Sequence, residues 1–268
     1  MSLFETHAHL CDPQFDSDRS LVLERAREKG IEALVEIADS PAGWEPARAL
    51  SAGSNGLKVF WACGFHPHHA QEQENFNFDT MAEAAAEESC VAVGEIGLDY
   101  VKSAAPKEIQ ISLFRKALEV AASVEKPVVI HCREAQADTL RILKSFYSGL
   151  SGSQFSAGVI HCFSGDLNFA LGCMDLGFYL GVDGPITYPG SKLLREVIAQ
   201  APLERIVLET DCPYLPPQGF RGQRNEPAYL SVVAEKLAQV SGKSLETVAQ
   251  TTTQNAVRLF RIKPKLKS

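Results

Sequence analysis

The sequence predicts an α/β fold, a single-domain (β/α)8 barrel of the TIM type, and three observations predict it. Short apolar, β-branched runs alternate with amphipathic helical stretches along the whole chain. The runs number eight, and a length of 268 residues suits one such barrel. Histidines and acidic residues fall at the ends of several runs, the positions that a barrel gathers at its C-terminal mouth.

The runs cover residues 3–7, 33–38, 58–63, 90–96, 128–131, 158–161, 178–182 and 206–209. They are apolar rather than strictly alternating, as strands covered on both faces require. Helical stretches at 18–29, 78–88, 109–124 and 192–200 lie between them. A doubly wound open sheet would share this alternation. No Gly-x-Gly-x-x-Gly turn or Walker loop supports a nucleotide-binding version of it. No Pro/Ser-rich linker divides the chain, so residues 148–156 are expected to be a loop. Residues 211–226, rich in Pro, Gly and Arg, form the longest irregular stretch. The expected domain is 1–262, followed by a basic tail, 263–268; the end, 258–268, carries five basic residues and reads as solvated.

Composition narrows the function. Hydrophobic residues make up 45% and charged residues 22%, so a globular core is affordable without membrane help. No apolar run reaches the ~20 residues that span a bilayer, and the start lacks a basic segment followed by an apolar one. Seven scattered cysteines without a Cys-x-x-Cys pair speak against a disulfide scaffold. A cytoplasmic protein is expected, with no membrane contact and no obligate protein partner, a monomer. A net charge of −7 excludes nucleic-acid binding by broad charge neutralisation. An anionic substrate would have to be held locally, by cations and a few arginines.

The candidate chemistry sits at the run ends. His7 and His9 end the first run, Glu95 the fourth, His131 the fifth and His161 the sixth; Asp211 follows the eighth. Residues two apart in a strand share a face, so His7 and His9 should both face the barrel axis and bind one ion. Imidazole with carboxylate suits Zn, Mn, Ni or Fe, and carboxylate with water suits Mg. Glu95 has two oxygens with which to bridge two ions. His131 and His161 would hold the second ion, and Asp211 would complete the first. Arg133, two beyond His131, should face the mouth and pair with a phosphate or carboxylate. Cys132, Cys162 and Cys212 each follow a proposed ligand and should point away, as small apolar residues between strands and helices. Glu209 should face the axis below Asp211, as the partner of a ligand or as a paired buried carboxylate.

The ordered segments resemble the TatD family of metal-dependent DNases. Glu5-Thr6-His7-Ala8-His9-Leu10 resembles its opening, and Gly64-Phe65-His66-Pro67-His68 its second motif. Gly94-Glu95-Ile96-Gly97-Leu98-Asp99-Tyr100 resembles the third, His131-Cys132-Arg133 the fourth and His161-Cys162-Phe163-Ser164-Gly165 the fifth. The sixth matches Leu208 to Leu215, followed by Arg224-Asn225-Glu226-Pro227. Residue 5 departs from the Asp with which the family often opens, but it is not a proposed ligand. The resemblance spans essentially the whole chain. It implies an amidohydrolase-like TIM barrel in which His7, His9 and Asp211 bind one divalent ion, His131 and His161 bind another, and Glu95 bridges them. Glu95 stands where many amidohydrolases carry a carbamylated lysine.

The resemblance further implies phosphodiester hydrolysis by a metal-activated water, in the manner of a 3'-5' exonuclease acting on DNA ends or single strands. Two cations lower the pKa of a bridging water and neutralise phosphate charge. Asp211 is the candidate base and Glu95 the bridge. His66 is expected at the scissile phosphate or leaving group. Arg133 and Arg224 are the expected phosphate contacts, with Arg221 a weaker one. His68 and His69 read as loop residues. Tyr100, Phe65 and Tyr214 are candidates to stack on a base or simply to pack. The metal site alone does not choose phosphorus over carbon, so an aminoacyl-tRNA deacylase or a small-molecule amidohydrolase is the alternative. A noncatalytic metal-binding protein is the third reading.

Overall fold

The apolar runs pair side by side in chain order. The computed structural model describes residues 2–53, 56–147 and 157–262. Its strands are β1 (Leu3–Ala8), β2 (Ile31–Ala38), β3 (Lys58–Cys63), β4 (Cys90–Asp99), β5 (Val128–Arg133), β6 (Gly158–Ile160), β7 (Phe178–Val182) and β8 (Ile206–Leu208). They form one eight-stranded sheet in the order β1 to β8, every neighbouring pair parallel. Just beyond β8 the chain returns to β1: Ala8 and Cys212 form a parallel bridge, and His9 N donates to Cys212 O at 2.8 Å. The sheet is thus a nearly closed TIM barrel.

Alternation along the strands sorts residues into two layers. Phe4, Val35, Ala62, Ala92, Val129, Val159, Tyr179 and Val207 pack together inside the barrel. Leu3, Leu34, Cys63, Val93, Ile130, Ile160, Leu180 and Leu208 pack outward against the helices. Those helices are α1 (Arg19–Glu28), α2 (Pro41–Gly53), α3 (Phe78–Ala86), α4 (Lys107–Ser123), α5 (Gln136–Tyr147), α6 (Leu167–Asp175), α7 (Lys192–Gln200), α8 (Leu230–Ser241) and α9 (Leu245–Leu259). In α4, Leu113, Phe114, Ala117, Leu118 and Ala121 recur every three or four residues and are all buried, which is the stripe that sticks a helix to a sheet. Local signals set the ends. Asp166 Oδ1 accepts from Phe169 N at 2.8 Å to start α6, and Gly242 at φ 66° stops α8. Phe260, just after α9, closes the floor of the inner layer.

The expected helices fall within two residues of the observed ones. The largest difference among the strands is in β4, which continues three residues past Ile96 and ends at Asp99, paired in register with Arg133. The expected loop at 148–156 and the basic tail at 263–268 lie outside the described residues. Among the described residues no helix is long and apolar enough to cross a membrane.

Candidate metal centre

The inner layer carries the site upward by one step. Val129 and Val159 face inward, so His131 and His161 two residues later do so as well. In β1 and β4 the step is three, from Phe4 to His7 and from Ala92 to Glu95. The ladder there slips, between Glu5 and Ala8 and between Val93 and Ile96. Gly64 makes room for β4 at this point, since a Cβ on it would lie 2.2 Å from Glu95 N. Asp211 follows β8 with φ 57°, a left-handed conformation that Asp tolerates, and its N–H donates to His7 O at 3.0 Å.

The six expected ligands converge. His7 Nε2 lies 3.2 Å from His9 Nε2 and 3.4 Å from Glu95 Oε2. Asp211 Oδ1 is 3.3 Å from His9 Nε2 and 3.7 Å from Nε2 of both His7 and His161. Glu95 Oε1 is 2.6 Å from His131 Nδ1, 3.6 Å from His66 Nε2 and 4.0 Å from His161 Nε2. Ligand atoms gather within 4.8 Å of one another in three sets: His7, His9 and Asp211; His7, Glu95 and His161; and His66, Glu95 and His131. Imidazole and carboxylate donors at these separations fit borderline divalent cations. Glu95 belongs to two of the sets, as a bridging carboxylate would. The grouping differs from the expected one in the partners of His131 and His161. His131 gathers with His66, while His161 gathers with His7, so His66 stands at a ligand position as well as at the mouth.

Electrostatics follow from burying acids among imidazoles. Burial alone would raise the pKa of Glu95, but His161, His66 and His131 outweigh it and hold the carboxyl well below its usual range. Burial likewise opposes the charge on His9, yet its contact with Asp211 pushes it up to about 9. His66 is pushed down to about 4 by burial, offset in part by Glu95, and is therefore neutral at physiological pH. A cation entering the cluster competes with the protons that neighbouring carboxylates favour on His9, His131 and His161.

Buried carboxylates brace the cluster from below. Glu5 Oε1 accepts from His7 N at 2.9 Å and from Thr210 N at 3.0 Å, tying β1 to the chain after β8. Glu209 Oε1 accepts from Cys162 N at 2.5 Å and lies 2.9 Å from His161 Nδ1, close but poorly aligned as a hydrogen bond. Glu209 fits only because residue 181 is glycine: a Cβ there would sit 2.4 Å from the carboxylate. Glu209 therefore faces the axis beside a ligand.

The cluster forms the floor of a solvent-open cavity of about 460 Å³. Arg133, His66, His68, Asp39 and Tyr214 are among its walls. Arg224 is not. Its Nη1 and Nη2 reach Asp18 at 2.8 and 2.7 Å, and its guanidinium lies 4.4 Å from the Phe15 ring centre. The resemblance expects Arg224 at the phosphate; in this structure its guanidinium is paired with Asp18, just ahead of α1. Arg221 stacks over Tyr188 at 4.7 Å. Among the cysteines, Cys212 is buried in the outer layer and Cys132 packs against that layer, as expected, though Cys132 also borders the cavity; Cys162 lines the cavity wall instead. Cys162 has φ 44°, so the strand period that would turn it outward has already ended. Phe65 is packed against Phe76 at 4.9 Å between ring centres, a core contact.

Sequence reasoning missed two residues of the mouth. His68 read as a loop residue, yet its Nε2 lies 3.1 Å from Asp99 Oδ2. Asp99 lies three residues beyond Ile96, the expected end of the fourth strand, and so takes no site role from the strand pattern. The continuing apolar residue Leu98 was the available signal.

Comparison with known proteins identifies the family. Residues 4–261 match the family model described as TatD related DNase. The chain is 40% identical to the uncharacterized metal-dependent hydrolase YabD of Bacillus subtilis, over 97% of this chain and 99% of that protein. It is 34% identical to the 3'-5' ssDNA/RNA exonuclease TatD of Pantoea vagans, over 97% of this chain and 100% of that protein. The crystal structure of YjjV, a TatD homolog from Escherichia coli, superposes with a TM-score of 0.86 at 31% identity, covering 97% of this chain and 98% of the other. The barrel, the converging ligands and these matches together show that the chain belongs to the TatD family of metal-dependent hydrolases.

Proposed function

We propose that the protein is a deoxyribonuclease that removes nucleotides from DNA ends or single strands, holding two divalent cations among His7, His9, Glu95, His131, His161 and Asp211. The observation that carries this reading is the shape of the site: a ligand cluster at the floor of a cavity of about 460 Å³, with a guanidinium on its wall. Small-molecule pockets run from roughly 300 to 1,000 Å³, so a terminal nucleotide fits such a space and a continuous duplex does not. The relative from Pantoea vagans carries the name of an exonuclease of single-stranded DNA and RNA, which accords with this. The net charge of −7 accords with it too, because recognition then rests on the cavity rather than on a basic surface.

Bound cations would supply neutralisation of phosphate charge and a lowered pKa for attacking water. The chain's own residues do the rest. Asp211, with its carboxyl held below its usual pKa by His161, His9 and His7 against the effect of burial, is ionised and takes up the water's proton. Arg133 faces the phosphate from the wall and fixes its orientation. His66, neutral and beside Glu95, helps hold the cation pair or the leaving oxygen.

An end-labelled single-stranded DNA incubated with the protein and Mn or Mg tests this directly. The label should leave in single-nucleotide steps from the 3' end, and Asp211→Asn should stop it. Intact DNA alongside cleavage of an aminoacyl ester or a small amide by the same metal-loaded protein would overturn the nuclease reading.

A further inference from the structure

We propose that Asp99 is a positioning residue that couples the cation site to the phosphate-binding wall, through one oxygen shared by His131, His68 and Arg133. The proposal rests on the metal and phosphate roles given above and adds a residue to them. Asp99 is fully buried at the end of β4. Its orientation is set by the backbone: Oδ1 accepts from Val101 N at 2.9 Å and Lys102 N at 2.7 Å, and its own N–H donates to Gln110 Oε1 at 2.8 Å. The other oxygen, Oδ2, is thereby aimed at the mouth. It lies 3.1 Å from His131 Nε2, 3.1 Å from His68 Nε2 and 3.6 Å from Arg133 Nη1.

His131 is thus gripped at both ring nitrogens, with Nδ1 at 2.6 Å from Glu95 and Nε2 on Asp99. A carboxylate at Nε2 keeps a proton there, so that a cation replacing the proton shared by Nδ1 and Glu95 would meet the Nδ1 lone pair, the tautomer a ligand needs. None of the three ligand sets contains Asp99, so its action on a cation runs through His131. The other two partners are at the surface: the side chains of His68 and Arg133 are 42% and 43% exposed. An incoming phosphate can reach both, and Asp99 holds both in place. A single buried carboxylate therefore sets the ligand and the wall together.

Asp99→Asn is the informative change. The amide oxygen still accepts from Val101 and Lys102, while its NH2 faces His131 and favours the opposite tautomer. Two titrations of the full chain read the outcome by calorimetry: Mn into chelator-stripped protein, then inorganic phosphate into Mn-loaded protein. Asp99→Asn should weaken Mn binding by about tenfold to hundredfold, the range found when partners of metal ligands are removed. It should also weaken phosphate binding. Arg133→Ala should weaken phosphate and leave Mn unchanged, and the double variant should bind phosphate less weakly than the product of the two single effects predicts. Mn affinity within twofold of native in a natively folded Asp99→Asn, or a double variant that loses the product of the two effects, would overturn the coupling. Should Asp99→Asn lose its native circular dichroism, a cycle of His68→Ala and Arg133→Ala decides. Both side chains lean on one oxygen, so their phosphate effects should fall short of adding, and full additivity overturns the proposal. Neither titration needs DNA cleavage. A protein that shows the expected Mn and phosphate pattern but leaves DNA intact sinks the nuclease reading and spares this one.

Discussion

The two sides of the cluster are built differently. Where β8 meets β1, His7 and His161 are braced from inside the barrel by Glu5 and Glu209, both without solvent exposure. Across the mouth, on β4 and β5, His131 is braced from above by Asp99, whose other partners reach solvent. The same bracing groups on the first side also close the sheet, since Glu5 links β1 to Thr210. Substitutions there should cost both fold and function. On the second side, function should change with little effect on the fold.

The largest effect tests the cluster as a whole. Asp211 contacts three imidazoles of the first side, so Asp211→Asn keeps its shape while removing the proposed ligand charge and the proposed proton acceptor. Loss of a general base alone lowers rates by about 10²–10⁴, and loss of the ligand adds to this. Turnover on single-stranded DNA should fall by at least that much, with circular dichroism unchanged. A variant retaining a tenth of native turnover would show that Asp211 is neither base nor ligand.

Glu209→Ala breaks the first side. It strands the part-buried Cys162 N–H and removes the buried carboxylate beside His161. Leaving a buried polar group unsatisfied costs about 1–3 kcal/mol, which in a chain of this size lowers the melting temperature by a few degrees per kcal/mol. Gly181→Ala should also destabilise the native protein, by roughly 1–3 kcal/mol, since the new methyl meets Glu209. In the Glu209→Ala background that clash is gone, so the penalty should largely vanish. Equal penalties in both backgrounds would mean that Gly181 is needed for its backbone alone.

Arg133→Ala sharpens the contrast from the other side. One charged hydrogen bond to phosphate contributes about 1.5–3 kcal/mol, equivalent to roughly 10- to 100-fold in binding. KM for a DNA end should rise by that factor while the melting temperature stays within about a degree. A fall in melting temperature like that of Glu209→Ala would erase the distinction between the two sides.

The same contrast explains what was legible in the sequence. The strands follow from apolar runs that alternate with helices, and the inward placement of His131 and His161 follows from a period of two kept in β5 and β6. The approach of His7 and Glu95 to the axis was legible from their places at the run ends and from the motifs, though the ladder slips by one residue around each of them. Asp99 and His68 were not legible, because their roles depend on where β4 ends and on a partner 31 residues away. Arg224 shows the converse. A motif can place a cation near a site, but only packing decides which anion takes it, and here Asp18 does.

That last pair offers the smallest and most specific test. Arg224 donates to both oxygens of Asp18, and Arg25 adds a contact at 3.3 Å. The hydrogen bond from Arg224, foremost, holds the surface carboxyl of Asp18 below its ordinary value of 3.8. An acid with a lowered folded pKa contributes stability that is complete above its unfolded value and is lost as pH falls through the folded one. Arg224→Ala should therefore return the Asp18 carboxyl most of the way toward 3.8 in a carbon-13 NMR titration, Arg25 retaining the rest. It should also soften the loss of stability on acidification without moving KM for DNA. A rise in KM matching that of Arg133→Ala, with Asp18 titrating as before, would put Arg224 back at the phosphate and make the ion pair with α1 incidental.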